Sequence, residues 1–471
     1  MVNRRHGRLI VAFGLATVCA CATLDGLSTP REEPTPSDAS ACGEDCGAPP
    51  NETGTPSDAG GLADVQVPSC LAAPDDPALL DDAVALASTV IGFCALLKDG
   101  RVACWGQSGA TFGNLVEDGG PLTTSATPRF VPGVSDAVKI AGGYGSMCVV
   151  DRAGRVMCWG SNSSGTLGRG AIDAGEGRDP APVVLQNAAP VTTAIDVAMG
   201  NSHGCALLQG GVVVCWGDSR SGQLGPVSPA VNDAGMRPYA DLAIGGGALG
   251  LATGAFHTCA IQSPSPPTLT CWGLGSSGQL GVPSDGGSAS PVTVPLAASG
   301  GSAPSAVFAG GQSTCARDVD GRLYCWGSNS IGQLGQLGVG SNLTAPTLFQ
   351  GLDNAVVAHV EIGVRHACYT LDSGVATCVG SNAKGELGRR NFTSTESNLE
   401  PVVMNEAGAP LGPVVESSIT KVPLSNLGST CAIVRRCGGG TRTFCWGLGS
   451  TVGSPSGGDT ALPLPVAAPT P

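Results

Sequence analysis

Apolar residues recur along this chain in a regular pattern from about residue 85 towards the C-terminus. Each copy has two short apolar runs around a polar turn, for example 94–97 and 102–104 around Asp99-Gly100. Two apolar arms joined by a turn that ends in Asp-Gly predict a β-hairpin. The unit occurs seven times, and the 341 residues from Trp105 to Trp446, divided by six steps, give a period of about 57. This period predicts an array of units that bury their apolar faces against one another.

Each hairpin carries one cysteine on either arm. If residues 98–100 form a three-residue turn, Leu97 faces Arg101 and, counting outward, Cys94 faces Cys104. Cross-strand neighbours have Cβ atoms about 4.5–5.5 Å apart, so a small twist permits a disulfide. Buried free cysteines are the alternative, but they leave the recurrence of both members unexplained. The predicted pairs are Cys94–Cys104, Cys148–Cys158, Cys205–Cys215, Cys259–Cys271, Cys315–Cys325, Cys368–Cys378 and Cys431–Cys445.

A Cys-Trp-Gly motif ends most hairpins, and a glycine-rich closing motif follows it. One unit has Val379 in place of the tryptophan, and the closing motif at 222–225 reads Gly-Gln-Leu-Gly. We expect its leucine to fill the core while the glycines adopt bends closed to other residues. The tryptophans are interpreted as packing residues rather than as binding aromatics.

Three of the five histidines share one repeat position, two residues before the first cysteine of a pair. They are His203, His257 and His366, and Ser146, Ser313 and Ser429 stand at this position in other units. A residue that recurs once per unit is more typical of a structural turn partner than of a ligand. We therefore interpret these histidines as structural.

The combined pattern resembles the repeat of the regulator of chromosome condensation family. Gly-x-x-His-x-Cys-Ala-Leu, Cys-Trp-Gly and Gly-Gln-Leu-Gly follow one another most clearly in 200–225 and 254–281, and the resemblance covers roughly 85–465. The resemblance implies an all-β, seven-bladed β-propeller of four-stranded antiparallel blades around a central axis. The domain is expected to span residues 69–471.

The twenty cysteines indicate an oxidising compartment, because disulfides persist there. Once the hairpin pairs are set aside, we predict that Cys70 pairs with Cys437 and fastens the N-terminal segment to the last blade. Cys42 and Cys46 are expected to close a small local loop; a metal-binding pair is the alternative, but no second pair or histidine lies nearby.

The N-terminus explains how the chain reaches such a compartment. Residues 1–20 combine three arginines with an apolar run too short to span a bilayer, which predicts a signal peptide. The run ends in Val-Cys-Ala-Cys and resembles a bacterial lipobox, so cleavage before Cys21 and its lipidation are predicted, with simple secretion as the alternative. Ala22 is not an aspartate, which favours the outer membrane. Residues 21–68 are rich in Pro, Ser, Thr and Asp and are expected to form a flexible tether.

Composition and motifs argue against catalysis and nucleic-acid binding. The net charge of −13 is unsuited to phosphate backbones. No nucleophile elbow, phosphate loop or zinc-protease motif occurs. Asp318 to Gly321 begins like a calcium loop but lacks the later glutamate, so it is interpreted as a hairpin turn. We expect no enzymatic activity, no cofactor and no metal site.

Function is therefore expected in the loops, as a monomeric scaffold that binds another protein on one rim. The long insertions are 116–128, 171–181, 227–239, 283–304 and 389–413. The alternatives are a structural envelope component without a specific partner, an exchange-factor-like regulator, and an inhibitor of a secreted enzyme. An exposed aromatic cluster on one rim would favour the inhibitor, and a wedge projecting between blades would favour the exchange factor.

Overall fold

Seven four-stranded antiparallel sheets account for almost all the regular structure, and they form the blades of a β-propeller. This confirms the predicted fold class. The structure is a computed structural model, and it describes residues 65–470 except 68, 73–75, 91, 108–115, 118–119, 122–123, 173–175, 227–234, 264, 284–285, 336–339, 353–354, 420–427 and 453–457. The predicted signal peptide, Cys21 and the Cys42–Cys46 pair lie outside the described residues.

Each blade is one contiguous stretch of chain, because the strand order within every sheet follows the sequence. The strands are Ala83–Ser88, Gly92–Leu97, Val102–Gly106 and Ser125–Phe130 in blade 1; Ala137–Gly142, Ser146–Asp151, Val156–Ser161 and Glu176–Pro182 in blade 2; Ala194–Met199, His203–Leu208, Val213–Asp218 and Met236–Ile244 in blade 3; and Ala248–Thr253, His257–Gln262, Thr268–Leu274 and Gly287–Thr293 in blade 4. They continue with Pro304–Gly310, Ser313–Asp318, Leu323–Gly327 and Leu343–Leu348 in blade 5; Val357–Ile362, His366–Leu371, Ala376–Ser381 and Thr395–Glu396 in blade 6; and Val414–Ile419, Ser429–Arg435, Thr441–Gly447 and Thr460–Pro465 in blade 7. A small hairpin (Val116–Glu117 with Gly120–Pro121), a 3-10 helix (Ala297–Ser299) and one helical turn (Gly449–Val452) complete the regular elements of the described residues.

The first strand of every blade lies at the axis, where neighbouring first strands contact each other and line a central cavity of about 240 Å³. Successive strands run in opposite directions, so the turns between second and third strands lie on one side, here named the hairpin face. The connections between third and fourth strands begin on the other side, here named the loop face. Hairpin-face turns such as 98–101 and 209–212 are short, whereas loop-face connections such as 107–124 and 219–235 are long.

The hairpin register follows from the turn. In blade 1 the amide of Leu97 donates to the carbonyl of Arg101 at 2.9 Å, and Gly100 takes the positive φ of 87° that the turn requires. Cys94 therefore faces Cys104, with Cα atoms 4.0 Å apart and a disulfide between them. The other six hairpins carry the same bond, with Cα atoms 4.1 Å apart.

In the described residues, the tryptophan indoles of blades 3, 4, 5 and 7 donate to a backbone carbonyl in the closing motif of the preceding blade. The Trp326 indole Nε1 of blade 5 donates to the carbonyl of Gln279 in the closing motif of blade 4 at 2.9 Å. Leu280 of that motif is fully buried. Gly281 takes a φ of 71°, and a Cβ there would lie 2.9 Å from Trp326 Nε1, so glycine is needed for the close approach. The repeated motif is thus an inter-blade contact.

Blade 6 replaces the missing tryptophan with a tyrosine from the neighbouring strand. Val379 stands where the other blades have tryptophan, and the Tyr369 hydroxyl donates to the carbonyl of Gln333 in the closing motif of blade 5 at 3.3 Å. Tyr369 is fully buried, and its ring centroid lies 4.6 Å from that of Phe349. The interface therefore keeps both its bulk and its hydrogen bond to the closing motif.

The segment before blade 1 is fastened to blade 7. Cys70 and Cys437 are disulfide-bonded with Cα atoms 4.8 Å apart, and the amide of Leu71 donates to the carbonyl of Arg435 at 2.7 Å. Asp81 accepts from Arg436 Nη1 at 2.7 Å and from Arg442 Nε at 2.9 Å. Both arginines are buried, so these charge-assisted bonds lie away from most solvent.

Candidate protein-binding faces

The three predicted structural histidines lie at the interfaces between blades. Each Nε2 lies within hydrogen-bond distance of a threonine hydroxyl in the next blade: His203 with Thr258 at 3.1 Å, His257 with Thr314 at 2.8 Å, and His366 with Thr430 at 2.9 Å. The hydroxyl of Thr314 donates to the carbonyl of Gln279 at 2.9 Å, so it accepts its second bond from Nε2–H of His257. These side chains hold neighbouring blades together.

Burial keeps two of these histidines neutral. It lowers the pKa of His257 to about 3, helped by the nearby His203, and it lowers the pKa of His366 to about 3. A neutral imidazole suits the role of donor to threonine, because only one ring nitrogen carries a proton. The arrangement gives these residues no access to a substrate.

The acidic turns of the hairpin face are also engaged in structure. The Asp318 carboxylate accepts from the amides of Asp320 at 3.0 Å and Arg322 at 2.9 Å, and from Arg322 Nε at 2.9 Å. This segment is the hairpin turn that the sequence predicts. Asp151 makes equivalent bonds with the amides of Ala153 and Arg155.

The predicted insertions divide unequally between the two faces. The stretches 116–128, 171–181 and 227–239 belong to loop-face connections and the strands that follow them. By contrast, 283–304 and 389–413 are not simple loops, since they include the fourth strands Gly287–Thr293 and Thr395–Glu396 and then continue to the hairpin face. The loop face therefore carries most of the inserted chain.

Two exposed aromatic side chains lie in loop-face segments. Tyr144, in the turn between the first two strands of blade 2, is 46% exposed, and Phe392, in the connection after the third strand of blade 6, is 56% exposed. They belong to blades that are not neighbours. Within the residues that the structure describes, Tyr144 and Phe392 therefore do not form the aromatic cluster expected of an inhibitor.

Charged side chains of the first strands gather around the axis. His359 Nε2 lies 3.6 Å from Glu361 Oε2, and both line the central cavity with Glu416. Burial raises the pKa of Glu416, His359 and Lys139 oppose this increase, and the Glu361 carboxylate adds to it. Burial also raises the pKa of Asp196 against the opposing effect of Lys139. Although burial opposes protonation of His359, Glu361 and Glu416 raise its pKa.

No group of three or more possible metal ligands occurs within the described part of the chain. No helix in the same residues is long and apolar enough to cross a membrane.

Comparison with known proteins identifies the repeat. Models of the regulator of chromosome condensation (RCC1) repeat match residues 153–207 and 320–369, and a second such model matches 137–166, 194–223 and 305–333. The chain therefore carries these repeats.

Among curated proteins, the chain is 30% identical over 247 residues to the human probable E3 ubiquitin-protein ligase HERC6, which is 50% of this chain and 22% of that protein. It is 28% identical over 239 residues to the ultraviolet-B receptor UVR8 of Arabidopsis thaliana, covering 50% of this chain and 51% of the receptor. The matches thus span about half of the receptor and less than a quarter of the ligase.

Two solved structures share the fold. Human WBSCR16 superposes with a TM-score of 0.63 at 18% identity, covering 78% of this chain and 94% of that one. Prp20p of Saccharomyces cerevisiae gives a TM-score of 0.61 at 18% identity, covering 75% of this chain and 82% of that one. Identities this low establish the shared propeller fold and nothing finer.

Proposed function

We propose that this chain, a propeller of regulator of chromosome condensation repeats, is an exported, non-enzymatic lipoprotein that binds another protein through its loop face. One observation carries the proposal: the two faces differ. The turns between second and third strands on the hairpin face are short, whereas the chain segments that link third to fourth strands from the loop face, such as 107–124 and 219–235, are long. Variable loops on a rigid scaffold are where proteins usually place recognition.

Covalent chemistry supports export. The described cysteines form eight disulfides, and such bonds are rare in a reducing cytosol. The proposed signal peptide at 1–20 provides the route and Cys21 provides the lipid anchor, with the outer membrane as the proposed location. The membrane is engaged only through this lipid.

A protein partner agrees with what propellers of this fold do elsewhere. The Prp20p structure is described together with binding to Gsp1p and histones. The net charge of −13 makes a nucleic acid an unsuitable partner here. The proposal is therefore restricted to protein recognition by a monomer.

The test uses the mature, oxidised full chain as bait for its own envelope and secretome, with mild crosslinking. The bait is compared with a loop-face variant, Tyr144→Ser with Phe392→Ser, and with a control variant of two exposed apolar residues of the hairpin side, Val319→Ser with Leu348→Ser. All four side chains are at least 42% exposed, so the fold should tolerate each change. A single partner that the control retains and the loop-face variant loses is the expected result. A blank at micromolar bait would favour a purely structural envelope component.

A further inference from the structure

Five exposed apolar side chains lie at the hairpin-face end of the first strands, around the axis. Each is the second residue of the first strand of its blade, and their exposures range from 39% to 51%. They are Val84, Val138, Ile195, Leu249 and Val415, here named the collar. Their blades are 1, 2, 3, 4 and 7, which are consecutive around the ring because blade 7 adjoins blade 1.

The fold does not require apolar residues at the collar positions. The pairing register shifts around each of them, so each is the extra residue of a β-bulge and lies outside the ladder. Blades 5 and 6 have the same bulge with Ser305 and Ala358 at this position. Since a serine or an alanine serves the bulge equally well, five exposed aliphatic side chains indicate a contact outside the fold.

The charged side chains beneath the collar include more carboxylates than cations. The residue after the collar position is Ala85 in blade 1, Lys139 in blade 2, Asp196 in blade 3, Gly250 in blade 4 and Glu416 in blade 7. In blade 6 the same position holds His359, with Glu361 two residues on. Three carboxylates thus oppose one lysine and one histidine near the axis.

The charge argues against a second copy of this chain as the occupant. Two collars placed face to face would bring Asp196, Glu361 and Glu416 of each copy towards the same groups of the other. Like charges in a partly desolvated interface are unfavourable, and the whole chain carries a net charge of −13. The complementary occupant is cationic at its centre and apolar around it.

We propose that the collar is a second protein-binding surface, which takes a segment whose lysine or arginine enters the axial cavity while flanking apolar side chains rest on the collar. The cavity of about 240 Å³ is smaller than a typical pocket for a drug-sized molecule, and it suits one long side chain. The Glu361 and Glu416 carboxylates would form charge-assisted hydrogen bonds with the entering cation. This surface is separate from the loop face, so the two proposals fail independently.

The test is a selection of random twelve-residue peptides, displayed on phage, against the immobilised oxidised full chain. The selected peptides are expected to carry lysine or arginine flanked by Leu, Ile, Val or aromatic residues. A synthetic copy of the strongest peptide should bind about tenfold more weakly to Glu361→Gln with Glu416→Gln, and to Val84→Ser with Ile195→Ser and Leu249→Ser. Raising the salt concentration should weaken binding to the parent protein.

Two controls separate this surface from the others. Val319→Ser with Leu348→Ser changes exposed apolar residues of the hairpin side away from the axis, and Tyr144→Ser with Phe392→Ser changes the loop face; neither should alter peptide affinity. Circular dichroism and the unfolding midpoint of each variant establish that it is folded. Selected peptides without a basic residue, peptides that bind the collar variant as tightly as the parent, or a selection that yields no binder would each overturn the proposal.

Discussion

His257 Nε2 and Thr314 Oγ1 lie 2.8 Å apart although 57 residues separate them in the chain. The same contact recurs in two other interfaces, and it follows a rule. A histidine at this repeat position is always followed by a threonine in the next blade, immediately before its first cysteine, as in Thr258, Thr314 and Thr430. Where the position is Ser313, the next blade has Ala367 instead. The two residues therefore act as one unit of the blade interface.

A double-mutant cycle at this interface should reveal coupling. Thr314→Ala removes the acceptor of a buried imidazole N–H, and His257→Ser removes the donor, so each should destabilise the protein by about 1–3 kcal/mol. Together they recreate the Ser-and-Ala combination of blades 5 and 6, so the double variant should lose about 1 kcal/mol less than the sum. Urea unfolding measures all four proteins. Additive losses would show that the bond contributes no coupling.

Stability should fall with acid in the window set by the neutral histidines. The folded pKa of His257 and of His366 is about 3, below the unfolded value of about 6.5. The unfolded chain then binds more protons as pH falls from about 6.5 towards 3, so stability is complete above this window and decreases within it. Each histidine contributes a slope of about 1.4 kcal/mol per pH unit.

The matched experiment compares the parent with His257→Gln and His366→Gln across pH 4 to 8. Subtracting the stability profile of each variant from that of the parent isolates the contribution of the replaced histidine. Glu386 contributes to both profiles and cancels; because burial raises its pKa, its own effect on stability has the opposite pH dependence. Identical profiles would contradict the assignment.

A tryptophan introduced at position 379, where the other blades have one, should partly replace Tyr369 in the blade interface. Tyr369→Ala removes a buried ring and its bond to the Gln333 carbonyl, for a loss of about 3–5 kcal/mol. Adding Val379→Trp to this variant supplies an indole where the other blades have one, and it should recover part of the loss. Tyr369→Phe, which keeps the ring, should cost only about 1 kcal/mol. Thermal and urea unfolding give these values. If the double variant is less stable than Tyr369→Ala alone, blade 6 has diverged so far that it no longer accepts a tryptophan at this position.

The two kinds of disulfide should differ in their effect on stability. Cys70–Cys437 spans 367 residues, whereas Cys205–Cys215 spans 10. In the chain-entropy model their removal costs about 6 and about 3 kcal/mol respectively. Paired alanine variants measured by urea unfolding test this order. Peptide mapping of the intact protein under non-reducing conditions checks the pairing, and Cys437 found linked to Cys431 or Cys445 would refute it.

Lipidation at Cys21 predicts how the protein is retained. A Cys21→Ser variant should lose metabolic labelling with palmitate and should appear in the medium or periplasm instead of the membrane fraction, because no lipid then anchors it. Cys19→Ser serves as the control and should remain labelled. If labelling is lost in Cys19→Ser but kept in Cys21→Ser, the lipidated residue is Cys19 instead.

The sequence by itself determined the fold, because the repeated hairpin encodes register locally. The Asp-Gly turn at 99–100 sets which residues face each other, so the Cys94–Cys104 pair followed from counting along two strands. The position of Thr314 next to Cys315 was also visible, and comparing the residue before that cysteine across blades could have found the partner of His257. What the sequence did not show was that the partner belongs to the next blade, since that depends on how blades stack.

Only the tertiary structure decided the surfaces. Val84 and Leu249 look like core residues in a strand of alternating pattern, and the β-bulge that turns them to solvent depends on pairing with the second strand rather than on their own identity. Lys139, Glu361 and Glu416 are distant in sequence and meet only because seven first strands converge on one axis. Tyr369 compensates for Val379 across two strands, a relationship set by the volume of a particular interface. Neighbouring residues determine the local strand register, whereas the exposure and charge of side chains at the axis are decided only when the seven blades close into a ring.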